Sequence, residues 1–353
     1  MPSNIEQNSK RRWPKWYQWR RLPSLLEPRE LYTVWAAIII ILFSALSWLF
    51  FDRIYNYTNA PEAGGEYREA LIGQPRFINP ILSESNDVDR DLTSIIYSGL
   101  MKYTPSGSIE PDLAESYEVE EEGLVYIVRL RDEVSWHDGR PLRADDIIFT
   151  VNAAQNPDYK SPVRTNWQNA RIEKIDDRTV RFILNQPSTS FIETMTLGIM
   201  PSHIWSNISV RNFALAEPNL TPIGTGPYKF SNLSKDGTGF VRSLQLEVND
   251  DYYDEKPYIK NLVFNFYETE NEAIAAWNNG EVMGLSFFNL KNLKFLQRQT
   301  EANFHKITLP RFVGVFFNQT QHKALADKNV RLALRYATDK RSIIRETLGN
   351  NAT

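Results

Sequence analysis

The chain has 353 residues, of which 42% are hydrophobic and 24% charged, a balance typical of globular proteins and too apolar for wholesale disorder. The net charge is −3, but residues 1–30 hold seven Lys or Arg against three Asp or Glu, so the remaining residues carry −7. Such an acidic body argues against nucleic acid as a partner. The absence of cysteine excludes disulfides, thiolate metal sites, cysteine nucleophiles and a lipid-modified cysteine as a tether.

The first predicted element is a membrane anchor at residues 31–51, which contain no charged side chain. At about 1.5 Å per residue a helix of this length spans the hydrocarbon core. A cleaved signal peptide and a buried core helix are the alternatives. The basic residues of the 1–30 tail precede the span, so the positive-inside rule predicts a cytoplasmic tail and an extracytoplasmic body. Residues 52–65 then read as a short stalk.

The body after the stalk mixes strand and helix patterns, which predicts an α/β or α+β domain. The β-rich runs are Leu124–Leu130, Arg178–Leu184, Ser243–Val248 and Asn261–Tyr267. The predicted helices follow Asp145 or Asp146 as a cap, cover Glu270–Asn279 up to Gly280, and cover Asn329–Thr338 and Asp339–Leu348. Asp138-Gly139 predicts a tight turn, and its neighbours Trp136 and His137 are expected to pack rather than to catalyse.

Three common motifs of enzyme active sites are absent from the sequence. It contains no G-x-S-x-G, H-E-x-x-H or phosphate-loop pattern. The Gly224–Gly226 pair is followed by Pro227 and Tyr228 rather than by a helix, so it does not form a dinucleotide loop. The four histidines show no metal-ligand spacing. We therefore expect that the protein binds neither a cofactor nor a metal and that it is not an enzyme.

Six blocks carry a resemblance to a family, and they occur in the family's order. They are GGEYREALIGQPRFINP (64–80), IIYSGLMKYTPSGSIEPDLAESYEV (95–119), YIVRLRDEVSWHDGRPLRADDIIFTVN (126–152), GTGPYKF (224–230), NDDYYDEKPYIKNLVF (249–264) and the stretch from VFFNQT to KRSII (315–344). In these blocks the chain resembles the bacterial extracellular solute-binding proteins of family 5, the peptide- and nickel-binding class of ABC importers.

The resemblance implies the type II periplasmic-binding-protein architecture, in which two α/β lobes flank a ligand cleft. Residues 66–310 would form the first lobe and residues 311–353 an incomplete start of the second, so the chain looks truncated. The implied function is capture of oligopeptides for delivery to a membrane permease; nickel is the weaker ligand hypothesis. A degenerate, non-transporting interaction protein and an extracytoplasmic hydrolase remain as alternatives.

By the same resemblance, the segments Gly73–Phe77 and Arg311–Gly314 are expected to face the cleft from opposite lobes, and Trp167 is a candidate residue of the cleft wall. For each of these residues, plain surface exposure or core packing is an equally open interpretation. The residues are Gly73, Gln74, Arg76, Phe77, Trp167, Arg311, Phe312 and Gly314.

Overall fold

The computed structural model describes residues 26–59, 62–286, 288, 292, 296, 302–305 and 313–348. The chain divides into two compact units, Met1–Glu62 and Ala63–Thr353. In the first unit, helix α1 covers Pro28–Asn59. Its segment Pro28–Phe51 is long and apolar enough to cross a membrane, and none of its most apolar window is buried.

A five-stranded mixed sheet organises part of the second unit, in the order β11-β1-β10-β9-β8. Strand β1 pairs in parallel with both β10 and β11, whereas β10, β9 and β8 are antiparallel neighbours. The strands are β1 (Gly64–Ile72), β8 (Tyr228–Lys235), β9 (Val241–Val248), β10 (Ile259–Tyr267) and β11 (Gly284–Leu285).

Helices cover both faces of this sheet. Helix α2 (Asp87–Ile96) buries one side against the sheet, in a cluster that includes Leu92, Leu244 and Phe266. Helix α7 (Glu270–Asn278) places alanines against β1 on the other side. Gly280 follows α7 with φ +72°, which confirms the predicted glycine stop.

The long crossover between β1 and β10 contains a second sheet, with the order β4-β5-β7-β6 and antiparallel pairing throughout. Its strands β5 and β7 confirm the predicted runs at 124–130 and 178–184. The crossover's strands are β2 (Met101–Tyr103), β3 (Ile109–Pro111), β4 (Ala114–Glu120), β5 (Val125–Leu130), β6 (Ala170–Asp176) and β7 (Thr179–Leu184). Its helices are α3 (Ala144–Gln155), α4 (Arg164–Trp167), α5 (Phe191–Thr194) and α6 (Ser202–Trp205).

The predicted cap of α3 is wrong in detail. The helix begins at Ala144, so Arg143 occupies the cap position and Asp145 and Asp146 lie in the first turn. The Asp146 carboxylate instead accepts hydrogen bonds from the Arg143 amide at 2.9 Å, from the Ser202 amide at 2.8 Å and from the Trp136 indole at 3.3 Å. Asp146 therefore satisfies a backbone amide at the start of the helix and also links the 136–146 region to α6.

The last described segment, residues 313–348, contains the helices α8 (Lys323–Ala326), α9 (Lys328–Ala337) and α10 (Lys340–Leu348). Asp327 and Asp339 each accept a hydrogen bond from the first turn of the helix that follows, which confirms the predicted cap at Asp339. The resemblance also implies a strand at the start of the second lobe, but residues 313–318 have no regular structure. A strand needs a hydrogen-bonded neighbour, and no described residue supplies one.

Candidate functional site

The second unit contains a cavity of about 840 Å³. Its lining comes from the end of α2, strand β2, residues 162–167, residues 190–198 and the 224–227 turn's last residue, Pro227. No single motif forms the wall: segments far apart in sequence meet there.

Two backbone segments cross closely to form part of this wall. Gly99 and Gly198 make an antiparallel bridge, and the Ile199 amide donates to the Ser98 carbonyl at 2.9 Å. A side-chain Cβ at Gly198 would lie 2.8 Å from the Cβ of Tyr97. Glycine is required at this crossing because the two segments leave no space for a side chain.

The Gly224–Pro227 turn is held against the end of α2. The Gly226 amide donates to the Ile96 carbonyl at 2.8 Å, and a Cβ at Gly224 would lie 1.9 Å from that same oxygen. The turn leads into strand β8 rather than into a helix, as the Pro227-Tyr228 sequence indicated. Its glycines permit backbone contact with α2 and bring Pro227 to the cavity lining.

His137 connects the predicted 138–139 turn to this same segment. Its Nδ1 accepts from the Gly224 amide at 3.1 Å, so Nε2 carries the proton and donates to the Gly226 carbonyl at 3.1 Å. Burial lowers the pKa of His137 from 6.5 to about 4. Gly139 has φ +83°, which confirms the tight turn beside it. His137 is therefore neutral at pH 7 and packs against the Gly224–Gly226 turn, and this packing agrees with the prediction from the sequence.

Trp167 is one of four aromatic residues that line the cavity, with Tyr97, Tyr103 and Tyr252. The side chain is buried, and its ring packs edge-on against Phe191 at 5.8 Å and at a tilt against Phe182 at 5.9 Å between centroids. Trp167 also lines the cavity. Trp167 thus belongs both to the core and to the cavity wall, so the two interpretations left open for it are compatible.

Polar groups also line the wall. Tyr103 donates to a carboxylate oxygen of Glu193 at 2.5 Å, and burial together with this contact raises the pKa of Tyr103 to about 12. Asp112 is buried and accepts from the Tyr253 hydroxyl at 2.8 Å, and its burial raises the pKa of that carboxyl. The hydroxyls of Thr93 and Tyr97 have no hydrogen-bond partner among the described residues.

The structure does not bring all the predicted binding residues to the cavity. The Gly73–Phe77 loop is absent from its lining. The loop is held elsewhere: the Arg76 amide donates to Asp89 at 2.7 Å, and the Gln74 side chain accepts from the Val241 amide at 2.9 Å. Gly314 lies in the irregular segment and is exposed, while Arg311 and Phe312 lie outside the described residues.

Sequence reasoning missed most of the wall, including Thr93, Tyr97, Lys102 and Glu193. Tyr97 and Lys102 stand inside the matched block 95–119, but the block gave no reason to assign them a role. Glu193 lies in no matched block, and only the fold places it beside Tyr103.

Comparisons with known proteins agree with this architecture. The family described as "Bacterial extracellular solute-binding proteins, family 5 Middle" matches residues 108–353. The chain is 30% identical over 294 residues to the oligopeptide-binding protein AppA of Bacillus subtilis, covering 82% of this chain and 52% of that protein. The chain thus spans about half the length of the curated relatives it matches.

Solved structures resemble the chain over a similar range. A crystal structure of NikZ from Campylobacter jejuni in complex with Ni(L-His) matches at TM-score 0.67 and 29% identity, covering 82% of this chain and 56% of that one. B. subtilis AppA in complex with a nonapeptide matches at TM-score 0.66 and 27% identity, covering 83% and 57%. The fold is that of the type II periplasmic binding proteins, and the chain belongs to the bacterial extracellular solute-binding proteins of family 5.

Proposed function

We propose that this protein captures oligopeptides in the 840 Å³ cavity and delivers them to the permease of an ABC importer. The observation that carries the proposal is the cavity itself, in a chain whose family consists of solute-binding proteins. Its volume lies within the range of small-molecule and cofactor sites. Relatives named for oligopeptide and dipeptide binding support peptides as the ligand class.

The wall has the groups that an extended peptide needs. Tyr103 offers an exposed aromatic surface to a side chain, while the exposed polar side chains of Ser94 and Asn166 are available to backbone amides or carbonyls. In two-lobed binding proteins, closure of a second lobe over such a wall supplies the remaining contacts. We assign that second surface to the region of Arg311, Phe312 and Gly314.

The Gly73–Phe77 loop remains part of the proposal as an outer contact. The Arg76 side chain is exposed, while its backbone is fixed by the buried Asp89. A fixed loop with an exposed cation can meet a ligand carboxylate at the rim of a closed complex. Gly73 has φ +98°, which allows the chain to turn directly after β1.

A cavity-filling substitution tests the binding site. Ser94 lines the cavity and is exposed on α2, so Ser94→Trp obstructs the cavity without disturbing the core. Ser116→Trp, at an exposed position on β4, is the matched control. Isothermal titration of the full chain in detergent micelles with a mixed tripeptide pool should show saturable binding for the unmodified chain and the control, and none for Ser94→Trp. Binding that survives Ser94→Trp would place the site elsewhere.

We further propose that the protein transports its ligand and catalyses no reaction. Peptide recovered from the complex should have its original mass. Shortened peptides would favour an extracytoplasmic hydrolase, and displacement of the bound peptide by Ni(L-His) would favour a nickel-chelate ligand. A chain that binds none of these ligands would support the non-transporting interaction protein.

We also propose that the chain crosses the membrane once, near residues 31–51. The tail before the span would lie in the cytoplasm and the solute-binding region outside the cell membrane. The apolar Pro28–Phe51 segment and the basic tail support it. Protease added to spheroplasts should digest the second unit and leave residues 1–30 protected. Release of an intact second unit lacking residues 1–51 would instead indicate a cleaved signal sequence.

A further inference from the structure

Asp112 is a buried carboxylate in the cavity wall. Its side chain is 6% exposed, and the residue lines the cavity. The hydroxyl of Tyr253 donates to this carboxylate at 2.8 Å, and the ammonium of Lys102, which also lines the cavity, lies 3.7 Å away. Burial raises the pKa of the Asp112 carboxyl, because the ionised form is poorly hydrated there.

Charged groups from four other parts of the fold surround the pair of Asp112 and Lys102. On the Lys102 side, the ammonium lies 2.5 Å from Asp254, between β9 and β10, and 3.7 Å from Glu110 on β3. On the Asp112 side, the Nε of Arg131, which follows β5, donates to the Asp112 carbonyl. Three carboxylates thus face two cations, so the net charge of this group is −1 when Asp112 is ionised and zero when it is protonated.

The other titratable neighbours leave this charge balance to Asp112. Tyr252 and Tyr253 lie beside the carboxylate, and burial raises the pKa of both hydroxyls, so both side chains stay neutral. The hydrogen bond from Lys102 lowers the pKa of Asp254, which therefore stays ionised when the pH falls. Asp112 is the buried member of the group, whereas the side chain of Glu110 is half exposed to solvent.

The charge of this group acts on the cavity at Lys102, whose side chain is 31% exposed. A ligand anion beside this ammonium meets a net negative group while Asp112 is ionised. Little water lies around the buried Asp112 carboxylate, so its repulsion of the anion is weakly screened. Protonation of Asp112 removes that repulsion and leaves the ammonium in place.

We infer that Asp112 determines how the cavity discriminates between anionic and neutral peptides: ionised, it disfavours an anionic group beside Lys102, and protonated, it admits one. This inference rests on the proposed function and deepens it by naming a residue that sets specificity. Proton uptake by Asp112 and binding of an anionic peptide are then coupled, so each strengthens the other. The preference for an anionic peptide should rise as the pH falls.

Tripeptides that differ in one permanent charge test the inference. Cysteic acid has a sulfonate that stays ionised from pH 8 to pH 5, and asparagine is a neutral counterpart of similar size. Either residue is placed at each of the three positions of Ala-Ala-Ala, and the dissociation constants are measured by isothermal titration of the full chain in uncharged detergent micelles. The ratio of the two constants at one position cancels the titration of the peptide termini.

At the position that reaches Lys102, this ratio should shift in favour of the sulfonate between pH 8 and pH 5. The expected shift is roughly twofold to fivefold, the range for one partly exposed charge interaction. Titration in two buffers of different ionisation enthalpy should also show that the sulfonate peptide takes up more protons on binding than the asparagine peptide does. A residue that only maintains the structure would produce neither effect.

Two variants assign the pH dependence to one carboxylate. Asp112→Asn has no charge at this position at any pH. Its preference for the sulfonate at pH 8 should match that of the unmodified chain at pH 5, without further change or extra proton uptake. Glu110→Gln is the matched control, because it removes a carboxylate at the same distance from Lys102, and its ratio should still change with pH.

The outcomes separate this inference from the proposed function. Ratios that are equal at pH 8 and pH 5 for all three positions, or a pH dependence that persists in Asp112→Asn, overturn the inference and leave peptide capture intact. If Asp112→Asn does not fold, the proton uptake of the unmodified chain and of Glu110→Gln decides, and equal uptake with both peptides overturns the inference. If no tripeptide binds, peptide capture fails and the inference fails with it.

Discussion

The sheet-containing region, residues 64–286, and the helical segment, residues 313–348, differ in how their apolar side chains are used. In the first region Trp136, Trp167 and Trp205 are at most 2% exposed. In the second, Phe316 is 87% exposed and Tyr336 is 82% exposed. Both regions contain regular secondary structure, so regular structure alone does not account for burial.

This difference separates the parts of the fold that depend on neighbouring residues alone from those that need distant partners. Helices α9 and α10 need only their own hydrogen bonds and the caps Asp327 and Asp339, all of which lie within a few residues. Burial of their apolar faces needs a partner surface, which no described residue provides. The sheet-containing region has such partners because its strands and helices return to each other over long sequence distances.

We expect the greatest loss of stability from a substitution where the 224–227 turn crosses α2. Gly224→Ala would place a methyl group 1.9 Å from the Ile96 carbonyl oxygen, so it should lower the free energy of unfolding by roughly 4 kcal/mol. Gly237→Ala is the matched control, because a Cβ there meets nothing within 4 Å. Urea unfolding followed by circular dichroism measures both. Equal stability of the two variants would show that the crossing is looser than described.

Substituting one aspartate near a helix start in each region compares the stability of the two regions directly. Asp146→Ala in the sheet-containing region should cost about 3 kcal/mol, because the Trp136 indole and the Ser202 amide would lose their buried acceptor. Asp339→Ala in the helical segment should cost less than about 1 kcal/mol, the usual range for an exposed cap. Similar losses in urea unfolding would mean that the helical segment unfolds together with the sheets.

Acid should weaken the sheet-containing region through His137. Its folded pKa of about 4 lies below the unfolded value of 6.5, so the unfolded chain binds the proton first. The neutral state of His137 contributes fully to stability above pH 6.5, and this contribution is lost as the pH falls toward 4. The resulting decrease in the free energy of unfolding is about 3 kcal/mol at most.

The measurement is the difference in unfolding free energy between the unmodified chain and His137→Gln at several pH values. Taking the difference cancels the contributions of other titrating groups. His322→Gln, in the exposed helical segment, is the control. A difference that stays constant from pH 7 to pH 4 would contradict the buried neutral state of His137.

The smallest effect is expected for an exposed aromatic residue of the helical segment. Phe316→Ala should change the free energy of unfolding by less than about 0.5 kcal/mol, because the side chain already lies in solvent. Phe182→Ala, at a buried position that packs against Trp167, should lower the free energy of unfolding by about 4 kcal/mol in the same urea experiment. A large loss from Phe316→Ala would reveal a partner surface for this segment.

Much of the fold could be predicted from local patterns. Strands β5 and β7 follow from alternating β-branched and aromatic residues, and the 138–139 turn follows from Asp-Gly. The cap of α3 was predicted wrongly because either aspartate suggests a cap, whereas the helix begins before both of them, at Ala144. The contacts of Asp146 with Ser202 and Trp136 join segments that are distant in sequence and could not be predicted from the local pattern.

The candidate site was harder to predict because its wall is assembled from distant segments. Nothing near Glu193 in the sequence indicates that Tyr103 approaches it, and nothing near Gly224 shows that α2 passes within contact distance. Trp167 was predicted as a wall from the resemblance, but the Gly73–Phe77 loop was chosen by motif position and is absent from the cavity lining.

Hydrogen exchange of the full chain, with and without saturating Ala-Asn-Ala, tests most directly whether the cavity is the ligand site. A peptide bound in the cavity should slow amide exchange at residues 93–103 and 190–198, with no change in β4. Slowing confined to residues 73–77, or no change anywhere in the second unit, would contradict it.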